Sequence, residues 1–278
     1  MSSAVMAIPG HGRASYREGM RVADFHEHGY VVLPGLFSPG EVAELREEFM
    51  RLHAAGPIPG HFTPSPQEPG QPYDVLREFP RIMHPHRVSP LALRHLLDHR
   101  VAAVLRELLG EEPLAAQSMF YFKPPGARGQ ALHQDNFYLR VEPGTCVAAW
   151  LAVDRADRAN GGLEVVPGTH RMDLFCPEDA DGTASFTREY VPPPPGLSRH
   201  PVDLDPGDVL FFNGSLVHGS QPNTTADRFR RSFICHYTGR STERISAWYQ
   251  TLTMAGEPVE LPASTAGGPC GTEDSGPH

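Results

Sequence analysis

The residue types with the most chemistry in this chain stand at His133-Gln134-Asp135. On a strand, residues i and i+2 point to the same face, so this imidazole and this carboxylate can meet one metal ion. Alone the triplet is weak, because 15 histidines and 33 acidic residues among 278 give roughly two HxD or HxE triplets by chance, and this chain has one. His218 strengthens it. That residue follows the strand-like run Asp208-Val209-Leu210-Phe211-Phe212 and lies within Val217-His218-Gly219-Ser220. A closed antiparallel barrel would bring the end of this run beside the first segment. Two imidazoles and one carboxylate on one face leave half of an octahedral ion open, which favours non-haem iron(II) activating O₂ over four-coordinate zinc. Arg230 enters the run Arg231-Ser232-Phe233-Ile234-Cys235-His236-Tyr237. Strand parity puts Arg230, Ser232, Ile234 and His236 on one face, directed inward, and Phe229, Phe233 and Cys235 on the apolar other. An inward arginine is costly without a partner, and a bidentate carboxylate is the natural one.

These groups need a scaffold. Residues from about 20 to 55 read as helix, short strand and helix, the strand being Gly29-Tyr30-Val31-Val32-Leu33-Pro34-Gly35, bounded by breakers. Ser38-Pro39-Gly40-Glu41 carries a hydroxyl N-cap, a proline at N1 and a glutamate at N3, and Val42, Leu45, Phe49 and Leu52 follow at helical spacing. Gly56 to Tyr73 is crowded with Pro and Gly and reads as an ordered surface loop. Ser89-Pro90 opens a helical region ending near Gly110. From Leu114 the period changes to short β-branched and aromatic runs: Ser118 to Phe122, Thr145 to Val153, Leu163 to Val166, Asp208 to Phe212 and Ser232 to Tyr237. Turn pairs such as Pro143-Gly144, Pro167-Gly168 and Pro206-Gly207 punctuate them. Helices followed by many short strands predict a mainly β, α+β chain: an antiparallel barrel or sandwich buttressed by N-terminal helices.

Composition narrows the partners. A formal charge of −9 argues against a nucleic-acid surface, which needs clustered Lys and Arg. No window approaches a membrane span and no basic, apolar leader precedes the first helix, so a cytoplasmic protein with a small-molecule substrate, monomer or homodimer, is expected. The four cysteines stand far apart without a CxxC pair, which predicts reduced thiols. His95 and His99 are spaced i, i+4 but lack the glutamate of a zinc-protease motif, and the pairs His26/His28 and His84/His86 lack a third ligand nearby.

His133-x-Asp135, Asn160-Gly161-Gly162-Leu163, Pro167-Gly168-Thr169-His170, Pro206-Gly207-Asp208 and His218-Gly219-Ser220 through Arg230 together resemble the phytanoyl-CoA dioxygenase family, in order, from about Phe25 to Tyr237. The resemblance implies a double-stranded β-helix (jelly-roll, cupin-like barrel) and an iron(II)/2-oxoglutarate oxygenase using O₂. Carried over by position, it makes His133, Asp135 and His218 the iron ligands and sets Arg230 on the distal carboxylate of 2-oxoglutarate. Ser220 would donate to that carboxylate, while Gln117, Tyr121, Lys123 and Trp150 fall where the family lines the cosubstrate pocket. Halogenating relatives carry a small residue where this chain keeps Asp135, so halogenation is not expected.

Residues 19–254 are then one oxygenase domain between a flexible N-terminus, 1–18, and a flexible tail, 255–278. Asn136, Phe137, Tyr138 and Arg171, with the Pro-rich loop from Gly56, are the candidate substrate contacts, since specificity lies on loops held by a rigid scaffold. Their mixture of aromatic and amide groups suits a small polar metabolite of natural-product biosynthesis, such as a sugar or aminocyclitol. Hydroxylation is the expected outcome, with ring closure, desaturation or epimerisation open to the same chemistry. The competing readings are a CoA-thioester or amino-acid hydroxylase of the same family, a non-catalytic binding protein, and a zinc-type hydrolase.

Overall fold

The computed structural model describes residues 18–264, so residues 1–17 and 265–278 of the two segments expected to be flexible lie outside the described part. Helices and two short strands come first: α1 (Glu18–His28), β1 (Tyr30–Leu33), α2 (Pro39–Ala55), α3 (Val75–Glu78), β2 (Ile82–Met83), α4 (Pro90–Leu96) and α5 (His99–Leu109). Strands then dominate: β3 (Pro113–Tyr121), β4 (Gln130–His133), the one-turn α6 (Asn136–Leu139), β5 (Val147–Ala152), β6 (Leu163–Val165), β7 (Glu178–Asp179), β8 (Glu189–Tyr190) and β9 (His200–Pro201). The chain continues through β10 (Val209–Asn213), β11 (His218–Ser220), β12 (Ser232–Gly239), β13 (Thr251–Thr253) and β14 (Pro258–Val259).

The start of α2 forms as its residues dictate. Ser38 Oγ accepts from the Glu41 N–H at 3.3 Å while Glu41 Oε2 accepts from the Ser38 N–H at 2.8 Å, a reciprocal cap. Arg100 adds a 2.6 Å ion pair to the same glutamate, tying α5 to α2. The helical region after Ser89 breaks into two helices because Asp98 starts a new one, its carboxylate accepting from the Arg100 N–H at 2.8 Å.

Strand order decides the architecture. One antiparallel sheet runs β1-β10-β5-β12-β3-β13-β14 with β2 also on β3; a second runs β4-β11-β6-β9, and β7 and β8 pair separately. The double-stranded β-helix barrel is therefore corrected to a mixed α+β fold of two open antiparallel sheets. Closure demands that every strand have two hydrogen-bonded neighbours, and β1, β14, β4 and β9 each have one. The outer face of the large sheet takes the helices: Leu45 and Phe49 of α2 and Leu105 of α5 bury against Phe120, Phe211, Phe233 and Tyr237. Phe49 stacks on Phe120 with ring centroids 3.8 Å apart. The inner face carries Met119, Trp150, Leu210, Phe212 and Ile234 and packs against Leu163 and Val165 of the small sheet.

Two smaller expectations change. Cys146 and Cys235 are free and buried, but Cys176 is disulfide-bonded, against four reduced thiols. Within the expected tail, β14 pairs with β13, and Ser264 Oγ donates to Glu142 at 2.6 Å. No helix among the described residues is long and apolar enough to cross a membrane.

Candidate metal centre

The small sheet brings the two histidines together. β4 and β11 run antiparallel with His133 directly opposite His218, and their ring centroids are 4.3 Å apart. Asp135 arrives differently from the expected strand pleat. β4 ends at His133, and Asp135 is already helical (φ −61°, ψ −35°) at the head of α6. The turn, not an i, i+2 alternation, swings the carboxylate back, so that Asp135 Oδ1 lies 3.4 Å from His133 Nε2 and 3.5 Å from His218 Nε2. All three residues are buried, and one donor atom from each falls within 4.8 Å of the others. This is the one such cluster among the described residues.

Hydrogen bonds at the far side of each ring set the tautomers. His133 Nδ1 donates to the Ala131 carbonyl at 2.8 Å and His218 Nδ1 to the Leu216 carbonyl at 2.9 Å. A carbonyl can only accept, so both protons sit on Nδ1 and both Nε2 lone pairs face the carboxylate. Burial lowers the His218 pKa to about 4, despite the attraction of Asp135, so the ring is neutral and able to ligate at ordinary pH. Two neutral imidazoles and a carboxylate converging from one side fit a non-haem iron(II) centre with open positions. The Gln130 amide reaches His133 Nε2 at 3.2 Å and has to turn aside when a metal takes that lone pair.

His236 completes the centre and was not singled out as a site residue. It lies fully buried on the inner face of β12, where its Nε2 donates to Asp135 Oδ2 at 2.9 Å. Its strand parity with Arg230 was the available signal, but only the tertiary packing shows what it meets. Such a hydrogen bond orients the ligating oxygen. His236→Leu is expected to weaken iron(II) or cobalt(II) affinity about 10- to 100-fold, with His236→Gln recovering most of it, as read by metal titration.

At the other end of the inner face, Arg230 is buried with its guanidinium 5.2 Å over the Trp150 ring and Nη1 donating to Ser232 Oγ at 2.9 Å. Lys123, also buried, donates to Ser220 Oγ at 2.8 Å. Among the described residues neither cation has a carboxylate within ion-pair distance. Burial accordingly lowers the Arg230 pKa to about 10 and pushes Lys123 well down, Arg230 adding like-charge repulsion to the latter. Both face a cavity of about 400 Å³ shared with Tyr121, Ser220, Gln130, Arg81 and Arg128. Gln117 is not in this group; it lies on the inner face across from His236.

The expected substrate residues scatter. Phe137 packs in an apolar cluster with Ala116, Leu139 and Tyr249, while the Asn136 amide closes its own loop, accepting from the Val141 N–H at 3.0 Å. The Tyr138 ring lies 6.2 Å from His133, with its hydroxyl donating to Glu189. Arg171 is exposed on a short 3₁₀ turn, Thr169–Arg171.

Known proteins share these features. The family model for phytanoyl-CoA dioxygenase matches residues 25–232. The ectoine dioxygenase of Sphingopyxis alaskensis is 31% identical over 266 residues, covering 87% of this chain and 84% of that protein. Phytanoyl-CoA dioxygenase 1 of Oryza sativa is 30% identical over 139 residues, so the match spans 50% of that relative's length. Among solved structures, EctD from S. alaskensis with 2-oxoglutarate and 5-hydroxyectoine superposes with a TM-score of 0.66 at 26% identity, covering 92% of this chain and 90% of that one. The epimerase SnoN, solved with Fe³⁺, α-ketoglutarate and nogalamycin RO, has a TM-score of 0.62 at 24% identity over 90% and 96% of the two chains, a likeness of fold. With its two-histidine, one-carboxylate centre inside the matched span, the chain belongs to the phytanoyl-CoA dioxygenase (PhyH) family.

Proposed function

We propose that the protein is an iron(II)- and 2-oxoglutarate-dependent dioxygenase that oxidises a small polar metabolite of natural-product biosynthesis, hydroxylation being the primary outcome. One observation carries this reading: Asp135 and His218 of the buried triad line one pocket with buried Arg230, and neither Arg230 nor the buried Lys123 near it has a carboxylate partner among the described residues. Burying a charge unpaired is costly, so a site that holds two is built for an anionic ligand. A dicarboxylate with one end at the metal and the other at Arg230 and Lys123 supplies the missing charge.

Iron(II) held by His133, Asp135 and His218, together with 2-oxoglutarate and O₂, supplies the oxidant for a C–H bond, and the cosubstrate leaves as succinate and CO₂. The residues do the positioning. His133 and His218 present fixed lone pairs, and His236 holds Asp135 so that one oxygen stays turned toward them. Arg230 offers a planar pair of donors to the far carboxylate, with Trp150 as its floor, and the Lys123–Ser220 pair adds a second set. The apolar inner face, Met119, Phe212 and Ile234, shields the reacting groups from water. A sugar or aminocyclitol would suit the neutral Gln130 amide beside His133.

Iron-reconstituted protein is expected to release succinate from 2-oxoglutarate in the presence of O₂, and His133→Ala protein is not. No succinate from wild type, after anaerobic iron loading and a screen of polar metabolites, would sink the proposal.

A further inference from the structure

Gln117 is fully buried, yet among the described residues neither its amide oxygen nor its amide nitrogen has a hydrogen-bond partner. A native fold rarely leaves both ends of an amide unsatisfied, because the desolvation is not returned by any contact. The side chain is also placed with some care. The register of β12 on β3 passes from His236 opposite Gln117 to Tyr237 opposite Ala115, leaving Ala116 as the extra residue of a bulge. The bulge lies beyond Gln117, and the register is regular from Tyr121 through Met119 to Gln117, so strand alternation carries Gln117 onto the inner face with those two residues.

Position separates Gln117 from the cosubstrate end. Ser232, beside Arg230, pairs with Tyr121, four residues along β3 from Gln117, or about 13 Å at the rise of a strand. His236, directly across from Gln117, is the residue that holds Asp135. Gln117 therefore lies at the His236 end of the strand pair, and Arg230 at the opposite end. A second buried group lies against the same stretch of β3: among the described residues His84 Nδ1 has no hydrogen-bond partner, and the His84 backbone N–H donates to the carbonyl of Ser118, next to Gln117. His84 holds a left-handed backbone (φ 49°), a strained conformation that the fold maintains around it. Desolvation lowers its pKa to about 3, so it contributes no charge.

We propose that Gln117, with His84 beside it, binds an uncharged hydroxyl- or carboxamide-bearing part of the substrate next to the metal, and takes no part in holding 2-oxoglutarate. An amide both donates and accepts, so a group that does the same satisfies both of its ends, whereas an ionised carboxylate, which only accepts, leaves the amide oxygen unpaired. This deepens the oxygenase reading and rests on it.

The test is Gln117→Met, which keeps the volume and deletes the unpaired polar atoms. Without substrate, the melting temperature of the variant is expected to rise by about 2–6 °C, since an unsatisfied amide is replaced by an apolar side chain. Calorimetric titration of 2-oxoglutarate into the iron(II)-loaded variant without O₂ is expected to give a Kd within about twofold of wild type. Stimulation of succinate release by a panel of neutral cyclic polyols and methyl glycosides is expected in wild type and lost in the variant. A fall in melting temperature or failure to fold means that the amide is structural. A Kd for 2-oxoglutarate weakened tenfold or more returns Gln117 to the cosubstrate pocket. Either result overturns the inference. Loss of succinate release in wild type itself would instead strike at the oxygenase reading.

Discussion

Asp135→Ala protein is expected to bind iron(II) about a thousandfold or more weakly than wild type and to release no measurable succinate, while keeping its fold. The first part follows from the site's economy: among the described residues three metal-ligating side chains converge there, and Asp135 supplies the one negative charge of the three. Losing it removes roughly 4 kcal/mol or more of binding, about three orders of magnitude. The fold survives because α6 is tied to the Asp135 backbone, not to its carboxylate. The N–H groups of Tyr138 and Leu139 donate to the Asp135 carbonyl at 3.0 and 3.1 Å, and alanine keeps that carbonyl. Asp135→Asn should fall between, since an amide oxygen can still ligate but carries no charge. Metal titration beside far-ultraviolet circular dichroism decides the matter: wild-type metal affinity in Asp135→Ala would remove this residue from the centre.

The second large effect belongs to Arg230. Arg230→Met is expected to raise the Kd and KM for 2-oxoglutarate about 100- to 1,000-fold with iron affinity unchanged. Each hydrogen bond to a charged group contributes roughly 1.5–3 kcal/mol, and a bidentate carboxylate pair has two. Stability separates this role from a structural one. The guanidinium is buried, and among the described residues its Nε has no hydrogen-bond partner and no carboxylate pairs with it. Replacing such a charge with an apolar chain of similar length should leave the melting temperature level or higher. Saturating 2-oxoglutarate should then stabilise wild type more than the variant, as linkage requires. A variant that melts well below wild type and binds 2-oxoglutarate normally would show that Arg230 serves the fold alone.

Much of the site was legible before any tertiary information. His133, Asp135 and His218 stood out because metal ligation restricts residue type so strongly that a histidine, a carboxylate two residues on and a second histidine after a β run form a recognisable pattern. Arg230 could be assigned an inward face because strand alternation leaves only two choices, and its neighbours Phe229, Phe233 and Cys235 took the apolar one. The cap of α2 was equally readable, because Ser38 and Glu41 act within one turn of chain.

What stayed hidden depends on residues far apart in the chain. Short alternating strands and Pro-Gly turns look the same in an open pair of sheets as in a closed barrel; the difference lies in whether β1, β14, β4 and β9 find second partners, which pairing between distant segments decides. Asp135 was assigned to a strand because i, i+2 parity is local, whereas the chain turns into α6 directly after His133. The bond from His236 to Asp135 spans 101 residues, and the two unsatisfied ends of Gln117 are defined only by what the packed interior fails to place near them. Residue types and short-range periods thus determined which chemistry this chain could hold. Long-range packing, which is where burial and pairing are settled, determined which of those groups meet.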